Sequence, residues 1–138
     1  MTEQLITSDN LSNEYLASIF NDAFMEVSYG EDGSISIREN GVRVWVEPLK
    51  SKRFVKLMVL YKIKADSSEL SCLQSVNSIN ESYIIKTASI EDGFLKFEYM
   101  IPIVGGITKK AFVLALKLFS SIPMSAVEDL ASDIVELR

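Results

Sequence analysis

Three dipeptides, Asp32-Gly33, Asn40-Gly41 and Asp92-Gly93, constrain this chain more than any other feature of its sequence. Aspartate and asparagine tolerate a positive φ and glycine takes one freely, which is what a tight hairpin turn demands. The residues around each dipeptide alternate apolar with polar, so each run reads as a strand with one face turned to a core. Ser34 to Arg38 places Ile35 and Ile37 together. Val42 to Glu47 sets Val42, Val44 and Val46 against Arg43, Trp45 and Glu47. Phe54 to Lys64 reads as a longer strand, with Val55, Leu57, Val59, Tyr61 and Ile63 facing one way and Lys56, Met58, Leu60, Lys62 and Lys64 the other. A second hairpin is expected from Tyr83–Ile90 and Phe94–Ile101, and Leu95, Phe97, Tyr99 and Ile101 share a face of it.

Helical spacing appears in four places. Leu11, Tyr15, Leu16, Ile19, Phe20, Ala23 and Phe24 form an apolar stripe along Asn10 to Phe24, with Ser8 and Asp9 as candidate caps. Asp66-Ser67-Ser68-Glu69 has capping-box spacing and opens a helix to about Glu81, with Leu70, Leu73, Val76 and Ile79 as a narrow stripe. Thr108 is placed to cap a helix from Lys109 to Ser121. That helix is apolar nearly all round, which predicts cover on more than one side. Pro123 interrupts it, and Ser125-x-x-Glu128 predicts a restart running to about Leu137. The resulting order, α-β-β-β-α-β-β-α with the last helix in two pieces, predicts an α+β fold. A mostly antiparallel sheet would carry its helices on one face, over Val44, Leu57, Val59, Leu95 and Phe97. No linker or repeat divides the sequence, so one domain over residues 1–138 is expected.

Composition then removes whole classes of chemistry. There is no histidine and Cys72 is the only cysteine, so the usual general base, Ser-His and Cys-His nucleophile systems and ordinary zinc sites cannot be assembled. The carboxylate pairs Glu31-Asp32 and Glu91-Asp92 fall in turns, where they read as turn formers rather than as an acid and base. Gly105-Gly106 followed by Lys109 and Lys110 lacks the spacing of a phosphate loop. No catalytic residue, metal or cofactor is expected. The sequence has no signal-like N-terminus and no apolar run approaching the ~20 residues of a membrane span, which predicts a cytoplasmic protein without membrane contact.

The late part of the chain resembles a known family. The residues that carry the likeness are the helix end Val76-Asn77-Ser78-Ile79-Asn80, the hairpin Ile90-Glu91-Asp92-Gly93-Phe94-Leu95, and the turn Ile101-Pro102-Ile103-Val104-Gly105-Gly106-Ile107-Thr108 into the last helix. This pattern resembles the YbjN domain family, whose fold is similar to that of type III secretion chaperones. Where family members often have an aromatic beside the second asparagine, Glu81-Ser82-Tyr83 follows Asn80 here. The resemblance implies a bacterial, homodimeric, non-enzymatic protein related to sensory transduction regulators, with no catalytic residues to carry over. The related secretion chaperones bind extended segments of client proteins.

The strand face turned away from the helices is the candidate site. Alternation places Arg43, Trp45, Lys56, Met58, Leu60, Lys62, Phe94, Lys96, Glu98 and Met100 there. A solvent-facing sheet surface is ordinarily polar. Tryptophan, phenylalanine and methionine among cations are instead the composition of an interface. The expectation is a surface for a client or regulatory protein or for a second copy. The competing expectation is that Ser125–Leu137 covers this face from within the chain. A second functional class is a small-molecule sensor with a pocket between sheet and helices. Basic residues 38–64 with Trp45, Phe54 and Tyr61 could stack nucleic-acid bases. The net charge of −5 and the lack of an RNA-binding signature argue against that partner.

Overall fold

The computed structural model describes residues 5–83 and 87–136. Its elements are β1 (Leu5–Ile6), α1 (Asn13–Asp22), β2 (Glu26–Tyr29), β3 (Ile35–Glu39), β4 (Val42–Pro48), β5 (Phe54–Lys62), α2 (Glu69–Ser82), β6 (Thr87–Glu91), β7 (Phe94–Pro102), β8 (Ile107–Thr108), α3 (Lys109–Ser120) and α4 (Pro123–Leu130). Among the described residues, six strands form one antiparallel sheet in the order β2-β3-β4-β5-β7-β6, and β1 pairs with β8 separately. The fold is α+β, with helices on one face of the sheet. The added strand β2 lies N-terminal to the Asp32-Gly33 turn. It carries only one strongly apolar inward residue, Val27, which is why alternation alone did not reveal it.

The turn dipeptides set the registers. Asn40 and Gly41 have φ of 52° and 78°, and Asp92 and Gly93 have φ of 50° and 82°. Both pairs form the two-residue turns that suit the twist of a hairpin. With those turns fixed, Ile35, Ile37, Val44, Val46, Val55, Leu57, Val59, Leu95, Phe97 and Ile101 all face inward and are buried. The helices meet them there: Phe112 of α3 stacks on Phe20 of α1, and Phe119 lies 6.1 Å from Tyr99 of β7.

Several boundaries differ from the expected ones for physical reasons. α1 starts after Ser12, whose hydroxyl accepts from Tyr15 N, and neither Ser8 nor Asp9 is the cap. It ends before Phe24, which adopts φ 61° and is exposed rather than on the buried stripe. Ser68, not Asp66, caps α2 by accepting from Ser71 N. The buried residues of α2 are Cys72 and Ile79, whereas Leu70 and Leu73 are 66% and 49% exposed. Asn80 at its end grips edge strand β6, donating to Ala88 O at 3.0 Å and accepting from Ala88 N at 2.8 Å. Of the expected strand Tyr83–Ile90, residues 84–86 lie outside the described residues.

Thr108 caps α3 as expected, accepting from Ala111 N at 3.0 Å. Cover on several sides is not observed: Phe112, Leu116 and Phe119 are buried, but Leu114 and Leu118 are 54% and 51% exposed. α4 begins at Pro123, with no side-chain cap, because proline's fixed φ and missing N–H suit the first helical position. Ser125 therefore sits inside the helix. α4 stops at Leu130, and of the expected stretch to Leu137 only residues up to 136 are described. The run Lys109–Leu130 is long and apolar enough to cross a membrane, contrary to the sequence expectation. It breaks ahead of Pro123, and Phe112, Leu116, Phe119, Ala126 and Val127 belong to the core.

Candidate functional site

Register places all ten predicted residues on one face. Trp45 of β4 lies opposite Met58 of β5, Lys56 opposite Met100 of β7, and Lys62 opposite Phe94. All point away from the buried side chains of their own strands. The described part of the C-terminal segment packs mostly elsewhere, and Glu136 reaches this face at Lys62, 3.9 Å from its ammonium. Val127, Ala131, Ile134 and Val135 pack in the core, and Val135 forms a bridge with Ile63. Glu136 N donates to Lys62 O, and Lys64 N donates to Ile134 O, so the tail extends the sheet along the flank of β5. Leu60, Phe94 and Met100 are 38%, 37% and 37% exposed, and Trp45 and Met58 are half-buried.

The cations on this face are in two different situations. Lys56 Nζ lies 3.3 Å from Glu47 and 3.9 Å from Glu98, and Lys96 Nζ lies 3.7 Å from Glu98 and also bonds Glu91. Carboxylate and ammonium thus alternate across β4, β5, β7 and β6. The Lys96 ammonium holds the Glu91 carboxyl below its usual range, and that same hydrogen bond raises the Lys96 pKa. Arg43 behaves differently. Its guanidinium sits 5.7 Å from the centre of the Trp45 ring, and among the described residues no carboxylate pairs with it.

Sequence reasoning missed Arg38. The Asn40-Gly41 turn puts it directly opposite Arg43, a pairing that counting back from the turn would have found. It also missed a break in the sheet. The β4–β5 ladder runs from Pro48–Val55 only as far as Trp45–Met58, so the Val42–Val44 end of β4 parts from Val59–Lys62. A cleft of 690 Å³ opens there, passing between residues of both faces and α4. Arg38, Arg43, Trp45, Leu60 and Lys62 line it from the outer face, Val59 and Tyr61 from the inward-facing positions of β5, and Met124, Val127 and Glu128 from α4, with Glu136 beside them. The Tyr61 hydroxyl is buried with no hydrogen-bond partner among the described residues. Burial, and then the nearby Glu128 carboxylate, push its pKa up to about 12.

Other candidates resolve as structure. Asp32 Oδ1 accepts from Ser34 N at 3.1 Å, and hydrogen bonding to Ser34 keeps its pKa below the usual value, as a turn former. Cys72 is a buried free thiol. Gly105 and Gly106 take φ of 85° and 92° in the turn before β8, where a Cβ on Gly106 would meet Leu5 at 2.9 Å. Among the described residues no group of three or more Cys, Asp or Glu side chains is placed to hold a metal.

Comparison with known proteins follows from this geometry. The family model YbjN, described as "Putative bacterial sensory transduction regulator", matches residues 12–131. No curated protein matches the sequence. Among solved structures, YbjN from E. coli superposes with a TM-score of 0.74 at 13% identity, covering 93% of this chain and 97% of that one. The Yersinia pestis type III secretion chaperone SycH, crystallised in complex with a stable fragment of YscM2, gives a TM-score of 0.54 at 12% identity, covering 85% of this chain and 98% of that one. At these identities the likeness to both structures is one of fold.

Proposed function

From the premise that this chain belongs to the YbjN family, we propose that it is a non-enzymatic protein-binding module, chaperone-like or regulatory, that works as a homodimer. Its outer sheet face, with Arg43, Trp45, Lys56, Met58, Leu60, Lys62, Phe94 and Met100, receives a second protein molecule. The observation that carries this reading is the half-exposed set of Trp45, Met58, Leu60, Phe94 and Met100 on the outer sheet face, while Val127, Ala131, Ile134 and Val135 of the C-terminal segment pack in the core. Large side chains of this kind supply the central contacts of protein interfaces. The fold supports the reading by analogy, since SycH holds a fragment of YscM2. Non-enzymatic function is supported by a sequence without histidine and by carboxylate pairs that are used up in turns and in the ion-paired ribbon. A cytoplasmic setting accords with the single reduced cysteine.

The test is a double substitution, Trp45→Ala/Leu60→Ala, followed by sedimentation and by capture of partner proteins. Both side chains are partly exposed, so the variant should fold and lose either self-association or partner capture. A folded variant that dimerises and captures every partner as the parent does would contradict the proposal. The second reading, a small-molecule sensor with a pocket between sheet and helices, is favoured by the 690 Å³ cleft beside α4, a volume in the range of ligand pockets. A thermal-shift screen with common metabolites separates the two, because a ligand that binds the folded state raises the unfolding midpoint.

A further inference from the structure

The cleft at the parted end of β4 presents unmet requirements that one kind of occupant satisfies together. Arg38 and Arg43 stand directly opposite each other across the β3–β4 ladder, an arrangement of like charges that destabilises a sheet. Glu26 lies in register beside Arg38, yet neither arginine forms an ion pair among the described residues. The Tyr61 ring lines the same cleft, while its hydroxyl is closed off from solvent and has no hydrogen-bond partner among the described residues. Between these points lie the Trp45 ring and Leu60, and along one side runs the stretch of β4 where its ladder with β5 has stopped.

We infer that this cleft receives an extended acidic segment of a partner protein, its carboxylates on Arg38 and Arg43, an apolar side chain on Trp45 and Leu60, and its main chain along the released end of β4. The inference rests on the protein-binding reading and assigns the chemistry of what is bound. Guanidinium groups take carboxylates in two-pronged hydrogen bonds, and a pair of them needs an anion to be tolerated side by side. An extended main chain brings the donors and acceptors that a free strand edge seeks. Glu128 and Glu136 fix the orientation. Glu136 is 3.9 Å from Lys62, and Glu128 stands near Tyr61, so those two corners of the cleft repel anions and the acidic side chains sit instead on Arg38 and Arg43, at the β3–β4 side. A polynucleotide, charged at every step, meets those carboxylates unfavourably.

A randomised array of short peptides tests this, with the emission of Trp45, the single tryptophan of the chain, as the local readout. The bound set should be enriched in Asp and Glu alternating with apolar residues, and a bound peptide should shift Trp45 emission. Arg38→Gln/Arg43→Gln should weaken binding roughly tenfold or more, the scale of a lost charge-assisted contact, while the thermal midpoint stays level or rises as the like-charge opposition is relieved. A bound set without acidic enrichment, or affinity unchanged in the arginine variant, overturns the inference and leaves the protein-binding reading standing. An array that captures no peptide overturns both. Arginine-dependent binding of oligothymidylate in preference to every peptide makes the partner a nucleic acid and overturns it too.

Discussion

Tyr61 shows how one residue holds both a structural role and a cost. Its ring lies on the inward face of β5 and meets Phe97 edge-on at 6.0 Å, while its hydroxyl is buried without a hydrogen-bond partner among the described residues. A buried polar group left unsatisfied costs about 1–3 kcal/mol. Tyr61→Phe keeps the ring contact and removes that cost, so the variant should be at least as stable as the parent by urea unfolding at neutral pH. The pKa pushed up to about 12 gives a second check. Between a tyrosine's ordinary value of 10.0 and that pKa, the unfolded chain loses the phenolic proton while the folded chain keeps it. Stability contributed by the protonated phenol is therefore full below pH 10 and falls as pH rises toward 12. Tyr61→Phe should be spared that part of the alkaline loss, and equal pH profiles for parent and variant would contradict the burial described. The alternation of β5 showed that Tyr61 points inward. It could not show that the hydroxyl ends beside Glu128, because that meeting depends on how α4 docks. At the turns the reverse holds: Asn40 and Asp92 were legible outright, because the positive φ they adopt is a local demand.

At the scale of elements, α3 separates what patterning reveals from what packing decides. Seven apolar residues from Phe112 to Phe119 surround the helix, so the sequence does not say which side meets the core. The structure chooses Phe112, Leu116 and Phe119 and leaves Leu114 and Leu118 half-exposed. Leu116→Ala should cost about 2–5 kcal/mol, the range for emptying a packed leucine site, whereas Leu118→Ala should cost well under that. Urea denaturation of the two variants decides it, and equal losses would mean that a second layer covers α3. Similar reasoning applies to α2, whose expected stripe holds at Val76 and Ile79 but gives way to Cys72 in place of Leu70 and Leu73, as the helix leans on β6 through Asn80. Strand β2 escaped notice because an edge strand needs only a thin apolar signal, and its pairing with β3 supplies the rest.

Across the whole molecule, the uneven charge of the sequence has two outcomes. Residues 34–64 carry eight bases and two acids, and the sequence alone does not say which of these bases find partners. Lys56 and Lys96 enter a continuous ribbon of ion pairs across four strands, whereas Arg38 and Arg43, at a break in the sheet, form no ion pair among the described residues. The outer face and its residues were legible from alternation, since every hairpin register follows from a turn. The cleft was not, because the parting of β4 from β5 depends on the C-terminal segment taking up the flank of Lys62 and Lys64. The central claim is that a second protein molecule covers this outer face. Oxidative footprinting of the assembled protein tests it most directly, because Trp45, Met58 and Met100 lie on the face while Met124 lies outside the strands on α4. The account predicts that Trp45, Met58 and Met100 are protected in the assembly relative to the dilute chain, with the exposed Phe24 equally reactive in both. Unchanged reactivity of the three outer-face residues, with protection found instead at Leu70 and Leu73 of α2 or at Leu114 and Leu118 of α3, would contradict it.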